Sequence, residues 1–199
     1  MGRSRRRTSA ARQAGTGGSR SQPRREVRQT ELELLDQLEP AIALVTNRLG
    51  GVLAYTTGFD LIARPTGLLD NENPNRTRFV FTDGRSREVF PDWDRVADEQ
   101  AFDLWLGPSA ERSAQFQAEL APIAGGDFTR RLSRHTLPPR GRLRWKHPVT
   151  GELQLDREVM EFPATDAQQL VVFLPADDVS DEALNRMRRA GGATLRAVN

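Results

Sequence analysis

The sequence predicts an α+β domain, a five-stranded antiparallel sheet with helices packed on one face. Three observations predict it. Two short strand-like runs at 41–55 are followed by apolar residues at helical spacing, and from Arg142 the period becomes two. Glycine-containing turns, Asn47–Gly51 and Val149-Thr150-Gly151, separate the strand-like runs. One run, Leu170-Val171-Val172-Phe173-Leu174, is apolar on both faces, which places it centrally in a sheet.

The elements follow in order. Gln29 to Leu38 reads as an amphipathic helix with Leu32, Leu35 and Leu38 on its apolar stripe, ended by Pro40. Ala41–Thr46 and Val52–Tyr55 read as strands of a hairpin, joined by the turn residues Asn47-Arg48-Leu49-Gly50-Gly51. Residues 57–122 read as mainly helical. Phe59, Leu61 and Ile62 mark a first short piece that stops near Pro65, and Leu68–Asn75 reads as a polar loop. Trp93, Val96, Ala97, Ala101, Leu104 and Trp105 recur at helical spacing from Asp92 to Leu106. Gly107-Pro108 stops that helix, and Ser109 can cap the next, which runs to about Ala121. Gly125-Gly126 breaks the chain before a short helix at Asp127–Arg134.

From Arg142 the period becomes two. Leu143, Trp145 and His147 alternate with Arg142, Arg144 and Lys146. Glu152–Asp156 buries Leu153 and Leu155, and Glu158–Phe162 follows. The central run comes next, then a final exposed helix around Asp181–Arg189. Two strands, several helices, then three strands is the strand order of PAS-like sensor domains. Leu143, Trp145, Leu153, Leu155, Leu170 and Val172 are expected to oppose a helical layer bringing Phe81, Trp93, Val96 and Trp105. Any gap between the layers is expected to be apolar.

Charge divides the chain unevenly. Residues 1–28 hold nine Arg and one acid and carry +8, within a total of +2, so residues 29–199 carry −6. The first 28 residues contain no Leu, Ile or Phe and are expected to be disordered. Residues 29–177 are assigned to the folded domain and 178–199 to a C-terminal helix and tail. The arginine tail is either a linker or a loose arm that binds phosphates weakly and without sequence preference. A single Lys, Lys146, among so many Arg suggests the codon bias of a GC-rich, actinobacterial-type genome.

The absence of Cys excludes disulfides, thiolate metal sites and Cys nucleophiles. No run of 18 apolar residues exists and no secretion signal is visible, so the chain is expected to be cytoplasmic and off the membrane. Phosphate-binding loops, nucleophile elbows and zinc-protease signatures are all missing, so no enzyme, cofactor or metal is expected. His135 and His147 are the two imidazoles. Each is read first as structural: His147 in a strand and bonded at its turn, His135 at a helix C-terminus.

One group of motifs resembles a known family. Asn75-Arg76-Thr77-Arg78-Phe79-Val80-Phe81-Thr82-Asp83, followed by Phe90-Pro91-Asp92-Trp93, resembles the N-L-L-R-L-x-F-T-D and Y/F-P-D-W segments of MmyB-like transcription regulators. Phe128 with Arg134-His135 resembles F-x-x-L-W-x-x-H-D-V. Lys146-His147-Pro148-Val149-Thr150-Gly151-Glu152-Leu153-Gln154-Leu155-Asp156 resembles H-P-x-V/T-G-x-L-x-L-D, and Gln169–Pro175 resembles the closing Q-x-L-V-V-Y-x-P. The likeness covers roughly Glu31–Ala176. Departures are Tyr55-Thr56 for Trp-Asn, Arg131-Leu132 for Leu-Trp, and His135-Thr136 for His-Asp.

The resemblance implies a PAS-like ligand-binding domain with an apolar, fatty-acid-like occupant. Members generally carry an XRE-type helix-turn-helix ahead of this domain. Here about 28 residues without apolar periodicity precede the match, so no DNA-reading helix is expected in this chain. The candidate ligand-binding residues are Arg78, Phe81, Trp93, His135, Trp145 and His147. Arg78 either meets a ligand carboxylate at the pocket rim or bridges Asp83 or Asp92. The aromatic residues are either pocket wall or plain core. The expected partners are the apolar ligand and a second copy or a full-length regulator. The alternatives are a DNA-associated protein acting through residues 1–28, a truncated regulator without a role, and a small-molecule enzyme on this fold.

Overall fold

The computed structural model describes residues 27–107, 109–134, 137–138, 141–163, 165 and 167–195, with the side chains of 191–195 left out. The expectations for residues 1–26 and for His135 lie outside these residues. Chain order is α1 (Gln29–Leu38), β1 (Ile42–Asn47), β2 (Val52–Tyr55), α2 (Thr57–Ala63), α3 (Arg76–Thr82), α4 (Ser86–Val89), α5 (Trp93–Trp105), α6 (Ala110–Arg134), β3 (Leu143–His147), β4 (Gly151–Glu161), β5 (Gln168–Pro175) and α7 (Asp178–Leu195). The strands form one antiparallel sheet in the order β2-β1-β5-β4-β3. The α+β arrangement is the one the sequence indicates, and the doubly apolar run is its central strand.

Strand alternation sorts the apolar residues between two layers. Ile42, Leu44, Leu153, Leu155, Val171 and Phe173 join the main core, together with Phe59 of α2, Trp93 of α5 and Trp145 of β3. Phe59 stacks on Phe173 at 6.5 Å between centroids and meets Trp145 edge-on at 6.4 Å. Burying a side chain of this kind contributes about 2–3 kcal/mol. Ala43, Val45 and Leu170 turn to the opposite face, where Leu35 of α1 covers them.

Several expectations are corrected. Leu170 and Val172 do not oppose the main helical layer. Their pairing with Val45 and Ala43 puts them on the α1 side of the sheet, and α1 is therefore a helix on the second face. Glu152–Asp156 and Glu158–Phe162 are not separate pieces: β4 runs unbroken through Arg157, which pairs with Phe173. Leu68 and Leu69 are core residues, although Asp70–Asn73 after them are exposed. Trp105 does not reach the core and is 56% exposed. The final helix is anchored, not free: Ala183 and Leu184 join the main core, and Ser180 Oγ accepts the Gln154 N–H at 2.9 Å.

Capping follows local chemistry. Thr56 Oγ1 accepts the Phe59 N–H at 3.3 Å and caps α2. Ser109 Oγ accepts the Arg112 N–H at 3.2 Å at the start of α6. Gly125, at φ +76°, breaks α6 where the sequence places a break.

The β1–β2 turn has a second task. Gly50 has φ +82°, and a Cβ there would stand 2.2 Å from Thr77 Oγ1, so glycine is required twice over. Its carbonyl accepts the Arg76 N–H at 2.7 Å. Asn75 Nδ2 donates to the Leu49 carbonyl at 2.9 Å, and Asn75 Oδ1 accepts the Arg78 N–H at 2.8 Å. The hairpin thus fixes the first turn of α3.

Candidate functional site

The fixed start of α3 delivers Arg76 to a small cavity between the sheet and the helical layer. β4 contributes Arg157 and Val159, β5 contributes Gln169 and Val171, and α5 contributes Glu99, Phe102 and Asp103. Pro138 also borders it. The cavity measures about 20 Å³, room for about one water. The gap is therefore not the apolar space expected. Inward positions on β4 run Leu153, Leu155, Arg157, Val159, and the third is a cation.

The charges form a network in which two cations, Arg76 and Arg157, and two carboxylates, Glu99 and Asp103, line the cavity. Glu99 is 5% exposed and takes Arg157 on one oxygen and Arg95 on the other, each at 2.8 Å. Arg95 also lies 3.7 Å from Asp92. Asp103 is held by Arg48 at 3.4 Å, and Arg48 also pairs with Glu161. Arg76 makes no side-chain hydrogen bond or ion pair among the described residues. Burial and the neighbouring charge of Arg157 push its pKa down to about 10, against the opposing pull of Asp103 and Glu99. It stays protonated at neutral pH.

The candidate residues read from the sequence occupy several separate places. Arg78 is two residues from Arg76 on α3, about 200° around the helix, so it faces away from the cavity. It pairs with Glu119 of α6 at 3.0 Å and lies over the Phe116 ring at 5.0 Å. Neither Asp83 nor Asp92 is its partner. It also borders an open surface groove with Asn71, Asn75 and Asp83.

Phe81 meets Trp93 edge-on at 6.1 Å and Phe128 at 4.8 Å. Trp93 Nε1–H donates to Ser86 Oγ at 3.0 Å. The Trp93 ring lies near two guanidinium groups, those of Arg87 at 3.6 Å and Arg131 at 5.2 Å. Phe81 and Trp93 border a second open groove of about 240 Å³ with Arg87 and Asp127.

Trp145 is buried against Phe59 and Phe90, and its Nε1–H has no partner among the described residues. His147 is buried at the β3–β4 turn. Its Nδ1 accepts the N–H groups of Val149 and Thr150 at 3.2 Å, so Nε2 carries the proton and donates to the Leu61 carbonyl at 3.2 Å. Burial lowers its pKa, with the Leu61 hydrogen bond opposing.

Arg131 replaces the Leu of the resembled segment and is fully provided for. It pairs with Asp94, with Asp98 at 2.5 Å and with Asp127 at 3.2 Å. Burial works to lower its pKa, but the hydrogen bonds of Asp98, Asp127 and Asp94 raise it on balance. Arg76 also stands where the resembled N-L-L-R segment has Leu, and it has no such partners. That departure was the signal in the sequence for Arg76. The signal for Arg157 was the period-two face of β4, carried past Asp156.

Among the described residues no group of three or more His, Cys, Asp or Glu could hold a metal ion, and no helix is long and apolar enough to cross a membrane.

A five-stranded antiparallel sheet with a cavity under its helical layer defines a PAS-like sensor domain. The family model for the MmyB-like transcription regulator ligand binding domain matches residues 27–187. The chain belongs to that family. Comparison with curated proteins gives no match.

Proposed function

We propose that this chain is the small-molecule-sensing unit of a cytoplasmic transcription regulator, and that a ligand entering between β4–β5 and α3–α5 alters the surface through which the domain meets its partner. The observation that carries this reading is the cavity under the helical layer in a chain of this family. The ligand is an amphipathic molecule of fatty-acid type. Phe102, Val159 and Val171 offer it an apolar wall. At about 20 Å³ the cavity accommodates it only when α3 and α5 part from the sheet. The partner is a second copy or a full-length regulator, and the role is binding, not catalysis.

Native mass spectrometry of the purified protein, with thermal unfolding in the presence of fatty acids, tests the reading. Carried-over ligand, or a concentration-dependent rise in Tm, supports it. A ligand-free monomer whose Tm no fatty acid raises overturns it. The +8 charge of residues 1–28 favours a second reading, non-specific DNA association. Salt-sensitive DNA binding that disappears when residues 1–28 are deleted would establish it.

A further inference from the structure

We propose that the chain pairs with a second copy of itself through the outer face of its sheet, α1 of each copy lying over β3 and β4 of the other. The need for a partner rests on the sensor reading above; the choice of partner and of surface rests on the sheet itself.

The central strand supplies the first argument. β5 is apolar on both faces, the pattern of a strand covered on both sides. Its outer face is covered at one end only. Leu170 is buried with Leu35 of α1, Val172 is half-buried, and Leu174 is 48% exposed. Met160 of β4, paired with Leu170, is 49% exposed. Among the described residues α1 is the helix packed on this face, and it sits on the β1 side, over Ala43 and Val45. The apolar surface of β5 therefore runs out from under the helix. α1 itself leaves Leu32 and Leu34 exposed on the two flanks of its buried Leu35. Exposed apolar surface that continues a buried cluster marks an interaction face.

Charge names the occupant. On β3 strand alternation sets Arg142, Arg144 and Lys146 on the outer face in one row, all exposed. α1 carries no Lys or Arg. Its exposed Glu33 lies about 160° around the helix from Leu35, and its exposed Asp36 about 100°. The outer side of α1 is thus acidic and the bare edge of the sheet basic. Arg142 is partly matched by Asp156, and Arg144 by Glu152 and Asp92. Lys146 and Asp36 form no ion pair among the described residues. Each copy presents one half of a complementary pair and lacks the other, which is what an isologous two-fold contact joins.

Shape agrees. A helix on half of a sheet makes a step about 10 Å high. A two-fold axis running along the strands, between β4 and β5, sets the step of each copy into the bare half of the other. The two α1 helices then lie side by side between the two sheets. Glu33 and Asp36 of one copy face the β3 cations of its partner. Met160, Val172 and Leu174 of both copies gather around the axis.

The test uses the full chain. Sedimentation equilibrium is run from micromolar to submillimolar concentration on the natural protein, Leu174→Glu, Trp105→Ala and two charge reversals, Lys146→Glu and Glu33→Lys/Asp36→Lys. The natural protein dimerises. Leu174→Glu shifts it to monomer with its circular dichroism unchanged, because the side chain is half exposed. Each charge reversal weakens its own dimer by about tenfold, since both symmetric contacts become repulsive. Mixing the two reversals restores dimers, because in the mixed pair lysine again faces glutamate at both contacts. Trp105→Ala, on the exposed end of α5 away from this face, changes nothing.

A natural protein that stays monomeric overturns the proposal. So does a dimer indifferent to Leu174→Glu, a dimer broken by Trp105→Ala, or a mixture of the two reversals no tighter than either alone. The sensor reading fails separately. Fatty-acid stabilisation of a chain that never dimerises leaves the sensor and removes this interface. A dimer that Leu174→Glu dissociates, with no fatty acid raising Tm and nothing bound in native mass spectrometry, leaves the interface and removes the sensor.

Discussion

Glu99 of α5, buried, and Arg157 of β4, largely buried, meet across the sheet–helix gap at 2.8 Å. A buried charge deprived of its partner is costly, whereas losing the pair together is not. Glu99→Leu is expected to lower stability by about 3–5 kcal/mol, because it strands Arg157. The double variant Glu99→Leu/Arg157→Leu should cost far less than the sum of the single changes. Urea denaturation of the four proteins, read as a double-mutant cycle, checks this.

His147 gives the domain a pH dependence. Its folded-state pKa lies below the ordinary 6.5, chiefly through burial. The unfolded chain therefore takes up a proton more readily as pH falls. The stabilisation is complete above the unfolded value and is lost as pH drops from about 6.5 towards the lower folded value. Protonating Nδ1 would also set its proton against the Val149 and Thr150 N–H groups. Carboxylates with lowered pKa, such as Asp83 and Glu152, act only in the more acidic range. Tm should fall between pH 7.5 and 5.5, and His147→Gln should flatten that slope while lowering Tm throughout.

Arg131 ties α6 to α5. Of its partners Asp94 is 82% exposed, so that contact is screened and contributes little. Asp98 and Asp127 are more sheltered. Arg131→Met should cost about 1–3 kcal/mol. Thermal unfolding in low salt and in about 1 M salt should show the difference between the proteins reduced but not abolished, since salt screens exposed pairs more than sheltered ones.

The two large aromatics of the core should respond differently. Phe59→Ala leaves a cavity where Phe173 and Trp145 now touch the ring, and should cost about 3–5 kcal/mol. Trp145→Phe loses volume but also removes a buried N–H with no acceptor. The two effects oppose each other, and the change should cost less than about 1.5 kcal/mol. Chemical denaturation midpoints rank the two.

Much of the fold was legible because its signals are local. The turn residues Asn47–Gly51, the Gly125 break and the run at 170–174 each act through their own backbone or their own periodicity. The site was less legible because it depends on what tertiary packing brings together. Arg76 stands where the resembled segment has Leu and Arg78 keeps that segment's Arg, but only the orientation of α3 decides which of them faces the sheet. Ending a strand at Asp156 hid Arg157, although the period that buries Leu153 and Leu155 continues through it. Phe81, Trp93 and Trp145 were recognised as inward-facing aromatics. No local pattern could show that Phe81 and Trp93 also border an open groove while Trp145, in the same core, does not.

β4 reaches two places at once. Arg157 and Val159 border the cavity, and a few residues earlier Gln154 grips the start of α7 through Ser180 Oγ and, by its carbonyl, through the Ala176 N–H at 2.9 Å. The separation from 154 to 157 is about 10 Å of extended backbone. One strand therefore carries both the cavity wall and the anchor of the C-terminal helix.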